Sequence, residues 1–268
     1  MPPERLAPEQ VERYQAHLTL PGFGRAGQRR LLGARVLVIG VGGLGCPVAE
    51  YLTAAGIGCI GLVDDDIVDG TNLQRQTLYG EADRGRPKVD AAGERLAAMN
   101  VALQIETHRV RVTASNVRDL VRGQDVVIDG SDNFPTRYVV NDACVLEKVA
   151  LVSGSLYQYE GQVTVIRPPA TPCYRCLFPS ATQDQPPCRE VGVLGPLAGI
   201  VGTILAAETI KLLVSGDTAL MGRLLLVDSQ AMTFRTVQLR SDPGCPLCGS
   251  SPSILEPTAV TADRAPAR

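Results

Sequence analysis

Residues 36–45 read V-L-V-I-G-V-G-G-L-G, and this stretch limits what the chain can fold into more than any other. Four aliphatic residues run into a glycine cluster, the pattern of a buried parallel strand that ends in a phosphate-binding turn. The small, apolar residues over 44–57 suit the helix that should follow. Glycine is required at Gly40, Gly42 and Gly45 for a tight turn, for close approach of backbone N–H groups to a phosphate, and for packing of helix on strand. Gly43 completes the run. A helix start then offers an anion its unsatisfied N–H donors and the positive end of its dipole. A glycine-rich strand-to-helix turn that binds nothing reads the same way locally, so the function must be argued from the rest of the chain.

Further along, strands are expected at about 59–63, 103–110, 125–129 and 149–153. Helical segments are expected between them at 87–99, 116–121 and 137–148, preceded by two short helices at 8–20 and 27–32. Such alternation implies a Rossmann-like α/β fold: a mainly parallel sheet with helices on both faces. Beyond Ser155 the pattern changes to strands at 162–167, 224–227 and 233–239 around one long helix at 194–214, so antiparallel strands should extend the sheet. We expect one domain over 1–251, with a nucleotide-binding half at about 10–155 and a second half at 156–251, and a disordered tail over 252–268.

The formal net charge of −2 gives no reason to expect nucleic acid, and no basic run suggests a membrane surface. Residues 1–10 are polar and proline-rich, unlike a signal peptide, which points to a cytoplasmic protein. Residues 191–207 are uncharged but interrupted by glycine and proline, and read as a buried helix rather than a membrane span, which needs about 20 apolar residues. Eight cysteines in such a chain argue for metal or catalysis over a disulfide framework. Cys46, Cys59 and Cys144 lie in apolar runs and read as inert core thiols. Cys173-x-x-Cys176 and Cys245-x-x-Cys248 have zinc-knuckle spacing; four thiolates would close a structural tetrahedron, the alternatives being redox-active dithiols or unrelated surface thiols. Cys188, beside Arg189 in a polar, proline-rich loop, could have its thiol activated by that charge.

Asp64 follows Gly45 at the distance where a Rossmann-type site places an acid on the ribose hydroxyls. With Asn72, Arg75, Lys88 and Asp132 it lies at or just after strand ends, where open α/β sheets bind ligands. Cations that neutralise phosphate oxygens, beside a carboxylate that holds Mg²⁺, are what a triphosphate requires. A solvated charged face would carry the same residue types. Lys88 is the more notable because the chain has three lysines and 23 arginines.

Taken together, G-V-G-G-L-G, D-D-D-I-V-D-G-T-N-L-Q-R-Q, G-R-P-K, D-G-S-D-N-F-P-T-R, C-R-E-V-G-V-L-G-P and the two C-x-x-C pairs resemble the MoeB/ThiF family, bacterial relatives of ubiquitin-activating enzymes. The resemblance covers about residues 10–249. It implies ATP-dependent adenylation of the C-terminal glycine of a small ubiquitin-like sulfur carrier ending in Gly-Gly, for molybdopterin, thiamine or tRNA thiolation. It further implies that Gly40, Gly42, Gly43 and Gly45 line the nucleotide, Asp64 takes the ribose, Asn72, Arg75, Gln76 and Lys88 contribute to nucleotide and phosphate binding, and Asp132 binds Mg²⁺. Structural zinc on the four knuckle cysteines, a homodimer and a possible covalent role for Cys188 are implied as well. One departure stands out: where the family reads R-Y-x-R-H, with the second arginine acting across the dimer, this chain has Arg13-Tyr14-Gln15-Ala16-His17. Arg13, Arg25, Arg29 and Arg30 are nearby candidates to replace it. Competing readings are an NAD-dependent dehydrogenase, a non-catalytic zinc interaction module, and the same fold activating another carboxylate or a tRNA base.

Overall fold

The computed structural model describes residues 5–179 and 192–258. An eight-stranded sheet runs through both halves of the chain: β1 (Arg35–Ile39), β2 (Cys59–Val63), β3 (Gln104–His108), β4 (Val126–Asp129), β5 (Ala150–Tyr157), β6 (Glu160–Ile166), β7 (Arg223–Asp228) and β8 (Thr233–Gln238). Its spatial order is β3-β2-β1-β4-β5-β6-β7-β8. The pairs up to β4–β5 are parallel, and those from β5–β6 onward are antiparallel. The strand order reverses between β1 and β4, which opens a crevice at their carboxyl ends.

Side chains alternate across the sheet, so β1, β2, β4, β5 and β6 each contribute to two cores. Val36, Val38, Ile60, Leu62, Val126 and Ile128 face one core, whereas Leu37, Ile39, Val63 and Val127 face the other. The first core is covered by α3 (Gly24–Gly33), α4 (Gly45–Ala55), α5 (Lys88–Met99) and α9 (Gly195–Ser215); α6 (Val117–Val121) and α7 (Phe134–Glu147) cover the second. The other α-helices among the described residues are α1 (Pro8–Arg13), α2 (Gln15–Thr19) and α8 (Tyr174–Leu177).

Three local differences from the sequence reading have physical reasons. The first expected helix is broken at Tyr14, whose buried ring lies under Gly56 and whose hydroxyl accepts from Asn100 Nδ2 at 3.2 Å. Strand β5 continues to Tyr157 and returns as β6 through a hairpin in which Gln158 takes φ 53°, a conformation usually signalled by glycine or asparagine. The tail is held in place as far as Thr258: its N–H donates to Asp142 Oδ2 at 3.1 Å, and Glu256 pairs with Arg118 at 2.8 Å. Residues 259–268 lie outside the described residues.

Helix α9 is long and apolar enough to cross a bilayer, yet 56% of its apolar window is buried inside the protein. Its contact with α4 depends on Gly202, where an added methyl would stand 2.4 Å from Pro47 Cγ and 2.8 Å from Leu44 O. Gly202→Ala should therefore lower stability by about 1–3 kcal/mol, the usual cost of overpacking a fitted core, measured as a shift of the urea midpoint at constant slope.

Candidate active site

Strand β1 delivers the chain into the crevice at Gly40, whose φ of +82° is a left-handed conformation open to glycine. The turn is tied to the sheet by Gly40 N–H to Val63 O at 2.8 Å, and the facing strand by Gly130 N–H to Ile39 O at 2.9 Å. Helix α4 then starts with no side-chain cap, which leaves its first N–H donors to other acceptors. At Gly45 an added methyl would lie 2.0 Å from Gly40 O, so this glycine brings the helix start against the turn.

A cavity of about 320 Å³ occupies the crevice. It gathers Gly40, Gly42, Gly43, Asp64, Arg75, Gln76, Lys88 and Asp132, as the sequence led us to expect. Gly45 and Asn72 are not in its lining: the first acts by packing, and the second sits in the short turn Gly70–Asn72, from which the chain leads to Arg75 and Gln76. Cys188 lies outside the described residues.

Asp64 braces the turn. Its Oδ2 accepts from Val41 N–H at 2.8 Å and its Oδ1 from Asp66 N–H at 2.9 Å. Burial nevertheless pushes its carboxyl above the usual range, with the charge of Lys88 and these amides opposing the shift. Lys88 itself is buried at the first turn of α5, its backbone N–H on Asp66 O at 3.0 Å and its Nζ on Asp66 Oδ2 at 2.8 Å. Arg75 is steadied by Nη1 to Thr71 O at 3.2 Å. Gln76 is buried, and its Oε1 makes no hydrogen bond. Asp132 is exposed at the mouth just ahead of Asn133, whose side chain caps α7 through Thr136 N–H at 3.0 Å. Among the described residues its carboxylate accepts one long hydrogen bond, 3.4 Å from Asn133 Nδ2, so most of its acceptor capacity is free for a hard cation.

The Cys-x-x-Cys pairs meet on the second core. The thiol sulfurs of Cys173, Cys176, Cys245 and Cys248 all lie within 4.8 Å of one another. Neighbouring sulfurs are 3.3–4.0 Å apart. Zinc–sulfur bonds of about 2.3 Å in a tetrahedron would set them roughly 3.8 Å apart, so the four can hold a metal ion. None of the described cysteines forms a disulfide. Cys46 and Cys144 are buried, and burial pushes the Cys46 thiol up to about 12, as inert core thiols require.

With this geometry in place, comparison with known proteins is decisive. A model of the ThiF family matches residues 14–247. The chain belongs to the ThiF family. Among its relatives, the SAMP-activating enzyme E1 of Haloferax volcanii is 48% identical over 242 residues, covering 90% of this chain and 89% of that one. The sulfur carrier protein adenylyltransferase of Thermus thermophilus is 45% identical over 259 residues, covering 94% and 96%. A crystal structure of E. coli MccB with MccA-N7isoASN superposes with a TM-score of 0.78 at 21% identity, over 89% of this chain and 75% of that chain; at that identity the likeness is one of fold.

In this ThiF-family chain, Arg111, Arg137 and Ser131 also line the cavity, and sequence reasoning missed them. Arg111 follows β3 in a stretch with no periodic signal, whereas the sequence marks Arg137 only as the start of a helix and the end of the D-G-S-D-N-F-P-T-R motif. The candidates to replace the arginine absent at Ala16 fare differently. Arg13 donates to Met99 O and Arg30 to Val214 O, at the far ends of α5 and α9. Lys88, at the start of α5, and Val193, just before α9, line the cavity. Helices of 12 and 21 residues put these two arginines about 18 Å and 30 Å from it along their axes, so neither reaches the cavity of its own chain.

Helix α7 carries both cavity-lining residues, Thr136 and Arg137, and the support of the cysteine cluster. Asn141 Oδ1 accepts from Tyr174 N–H at 2.8 Å, and Asp142 binds Arg175 with both oxygens, at 2.7 and 2.6 Å. Asp142 is fully buried and the Arg175 side chain is 8% exposed, so removing the acid strands a buried cation. Asp142→Ala should destabilise the protein by about 3–5 kcal/mol in chemical denaturation. It should also speed release of bound metal to a chromogenic chelator, because Arg175 lies between Cys173 and Cys176.

Proposed function

We propose that the protein transfers AMP from ATP to the C-terminal glycine of a small ubiquitin-like sulfur carrier ending in Gly-Gly, giving an acyl-adenylate and pyrophosphate. The observation that carries this reading is the convergence of the glycine turn, Arg75, Lys88 and Asp132 on one cavity at the switch point of a ThiF-family fold. A carboxylate is a poor electrophile because its leaving group would be oxide. Bonded to the α-phosphate it becomes a mixed anhydride that expels AMP, and pyrophosphate leaves as the anhydride forms. The enzyme needs no covalent nucleophile for this step; it must bring the carboxylate to phosphorus and stabilise charge on the phosphates.

In this reading Asp64 takes the ribose hydroxyls with the acceptor capacity its backbone bonds leave, and Gly40, Gly42 and Gly43 admit the phosphates. Arg75 and Lys88 neutralise the phosphate oxygens, Lys88 being shared with Asp66, and Gln76 and Asn72 fix the loop that carries Arg75. Asp132 would hold Mg²⁺, which when bound supplies further charge neutralisation. The donor set and its spacing favour zinc on the four cysteines, in a structural role. We further infer a homodimer, since Ile200, Ile204 and Ile210 of α9 are only partly covered and Tyr51 on α4 is exposed. The reduced thiols fit a cytoplasmic setting. Molybdopterin, thiamine and tRNA thiolation are the pathways such a carrier would serve, and a covalent role for Cys188 belongs to the subsequent handling of the carrier.

The direct test is exchange of labelled pyrophosphate into ATP, expected only when a carrier ending in Gly-Gly is present. Asp132→Ala should cut this exchange by about 10²-fold or more, the cost of one preorganised electrostatic group; exchange at the parent rate would remove Asp132 from the mechanism. Metal analysis should return one zinc per chain, and Cys173→Ser should lower both zinc content and melting temperature.

Arg111, which faces the cavity in the same chain, can take the role of the arginine absent at Ala16. Arg111→Ala is then expected to lower kcat/KM by about tenfold or more, while Ala16→Arg changes it little. A gain of about tenfold from Ala16→Arg would show instead that the charge is missing.

A further inference from the structure

A second cavity, of about 150 Å³, adjoins the first, and Arg137 lines both. Hydroxyl and amide groups from β5 and β6, among them Ser153, Ser155 and Gln162, wall it. The guanidinium of Arg137 is held from several sides. Its Nη2 donates to Ser131 O at 2.9 Å, its Cζ lies 5.6 Å from the Phe134 ring centre, and the Tyr174 hydroxyl faces it. Its Nε is buried without a hydrogen bond.

Behind it stands Asp129, fully buried at the end of β4. Asp129 Oδ1 accepts from Ser131 N–H at 2.9 Å, while Oδ2 has no hydrogen-bond partner among the described residues. The two side chains form no ion pair, although the arginine's charge opposes the effect of burial on the acid. The cation is thus oriented without being directly neutralised, unlike Lys88, which is already paired with Asp66.

On the adenylation reading, an acyl substrate entering by the second cavity must come within about 3–3.5 Å of the reacting phosphorus, against the repulsion of a polyphosphate. An oriented arginine fork suits a carboxylate there better than a point charge, because it can donate two parallel hydrogen bonds. We propose that Arg137 is the specificity-determining residue for the acyl substrate, binding its terminal carboxylate where the two cavities meet, with Asp129 behind it as a positioning residue. This rests on the adenylation reading above and adds to it the group that reads the acid.

The test uses the full chain with α,β-methylene-ATP and a synthetic tail peptide ending in Gly-Gly, as free acid and as carboxamide. The parent should bind the acid about 10- to 100-fold more tightly than the amide, the range of a charge-assisted hydrogen bond. Arg137→Gln should abolish that preference and leave affinity for the ATP analogue unchanged, whereas Arg137→Lys, which keeps stem and charge, should retain part of it. Asp129→Asn should reduce the preference at an unchanged melting temperature, a readout that a purely structural role would not move; full preference in Asp129→Asn removes the positioning role.

Equal binding of acid and amide by the parent overturns the proposal. So does loss of analogue affinity in folded Arg137→Gln, since Arg137 would then serve the phosphates. If the parent shows pyrophosphate exchange with the intact carrier but its acid preference survives Arg137→Gln, this inference alone fails. If the parent exchanges with no Gly-Gly carrier yet shows an Arg137-dependent preference, the carboxylate site stands and the carrier reading falls.

Discussion

Where β1 and β4 end, backbone packs against backbone with no side chain between. A methyl on Gly45 would lie 2.0 Å from Gly40 O, one on Gly40 3.1 Å from Gly130 O, and one on Gly130 3.2 Å from Leu44 Cβ. These glycines come from two separate stretches of the chain, the turn after β1 and the end of β4, yet each leaves room for another. Their mutual contact lets α4 start at the strand ends, and the crevice opens at that point because the sheet order reverses there. The charged residues around the cavity acquire a common target only because this close approach has been made.

Charge in the crevice is arranged so that it is held and still available. Asp64 spends one acceptor site on each oxygen to fix the turn, and a carboxylate has more. Lys88 is buried against an Asp66 whose side chain is 66% exposed, so the acid can turn to solvent when an incoming anion takes its place, and the lysine stays in position and stays paired. A nicotinamide-dependent enzyme would share the glycine turn and Asp64, but it has no use for Arg75, Lys88, Arg111 and Asp132 around one cavity. The bias toward a polyphosphate comes from this set rather than from the turn.

Much of this was legible in the sequence because it rests on local rules. The periodic segments gave the parallel half within a few residues, and β2 (Cys59–Val63) emerged with the expected bounds. The turn, Asp64, Arg75, Lys88, Asp132 and the four cysteines stood in recognisable spacings. What was not legible depends on where distant segments meet. Gly130 gave no sign that it would face Gly40, and the hairpin at Gln158 lacks the residues that usually mark one. Arg111 and Arg137 line the cavity because β3 and β4 end at the same edge of the sheet. The hold on residues 252–258 depends on Asp142 and Arg118, more than 100 positions away.

Helix α7 turns this edge of the sheet into one mechanical unit. Its first turn carries Phe134 and Arg137 and follows Asp132 directly; its third carries Asn141 and Asp142, which hold the backbone and guanidinium of the segment between Cys173 and Cys176. Tyr138, between them, donates to Phe178 O at 2.7 Å and meets Tyr174 edge to face at 5.4 Å between ring centres. Tyr174 therefore touches both ends of the arrangement, with its backbone beside Cys173 of the cluster and its hydroxyl toward Arg137. A metal held by the four cysteines would fix the chain on either side of Tyr174, whose hydroxyl faces Arg137. By this route a metal with no open coordination position would bear on the cavity from a distance, through the arginine that lines both cavities.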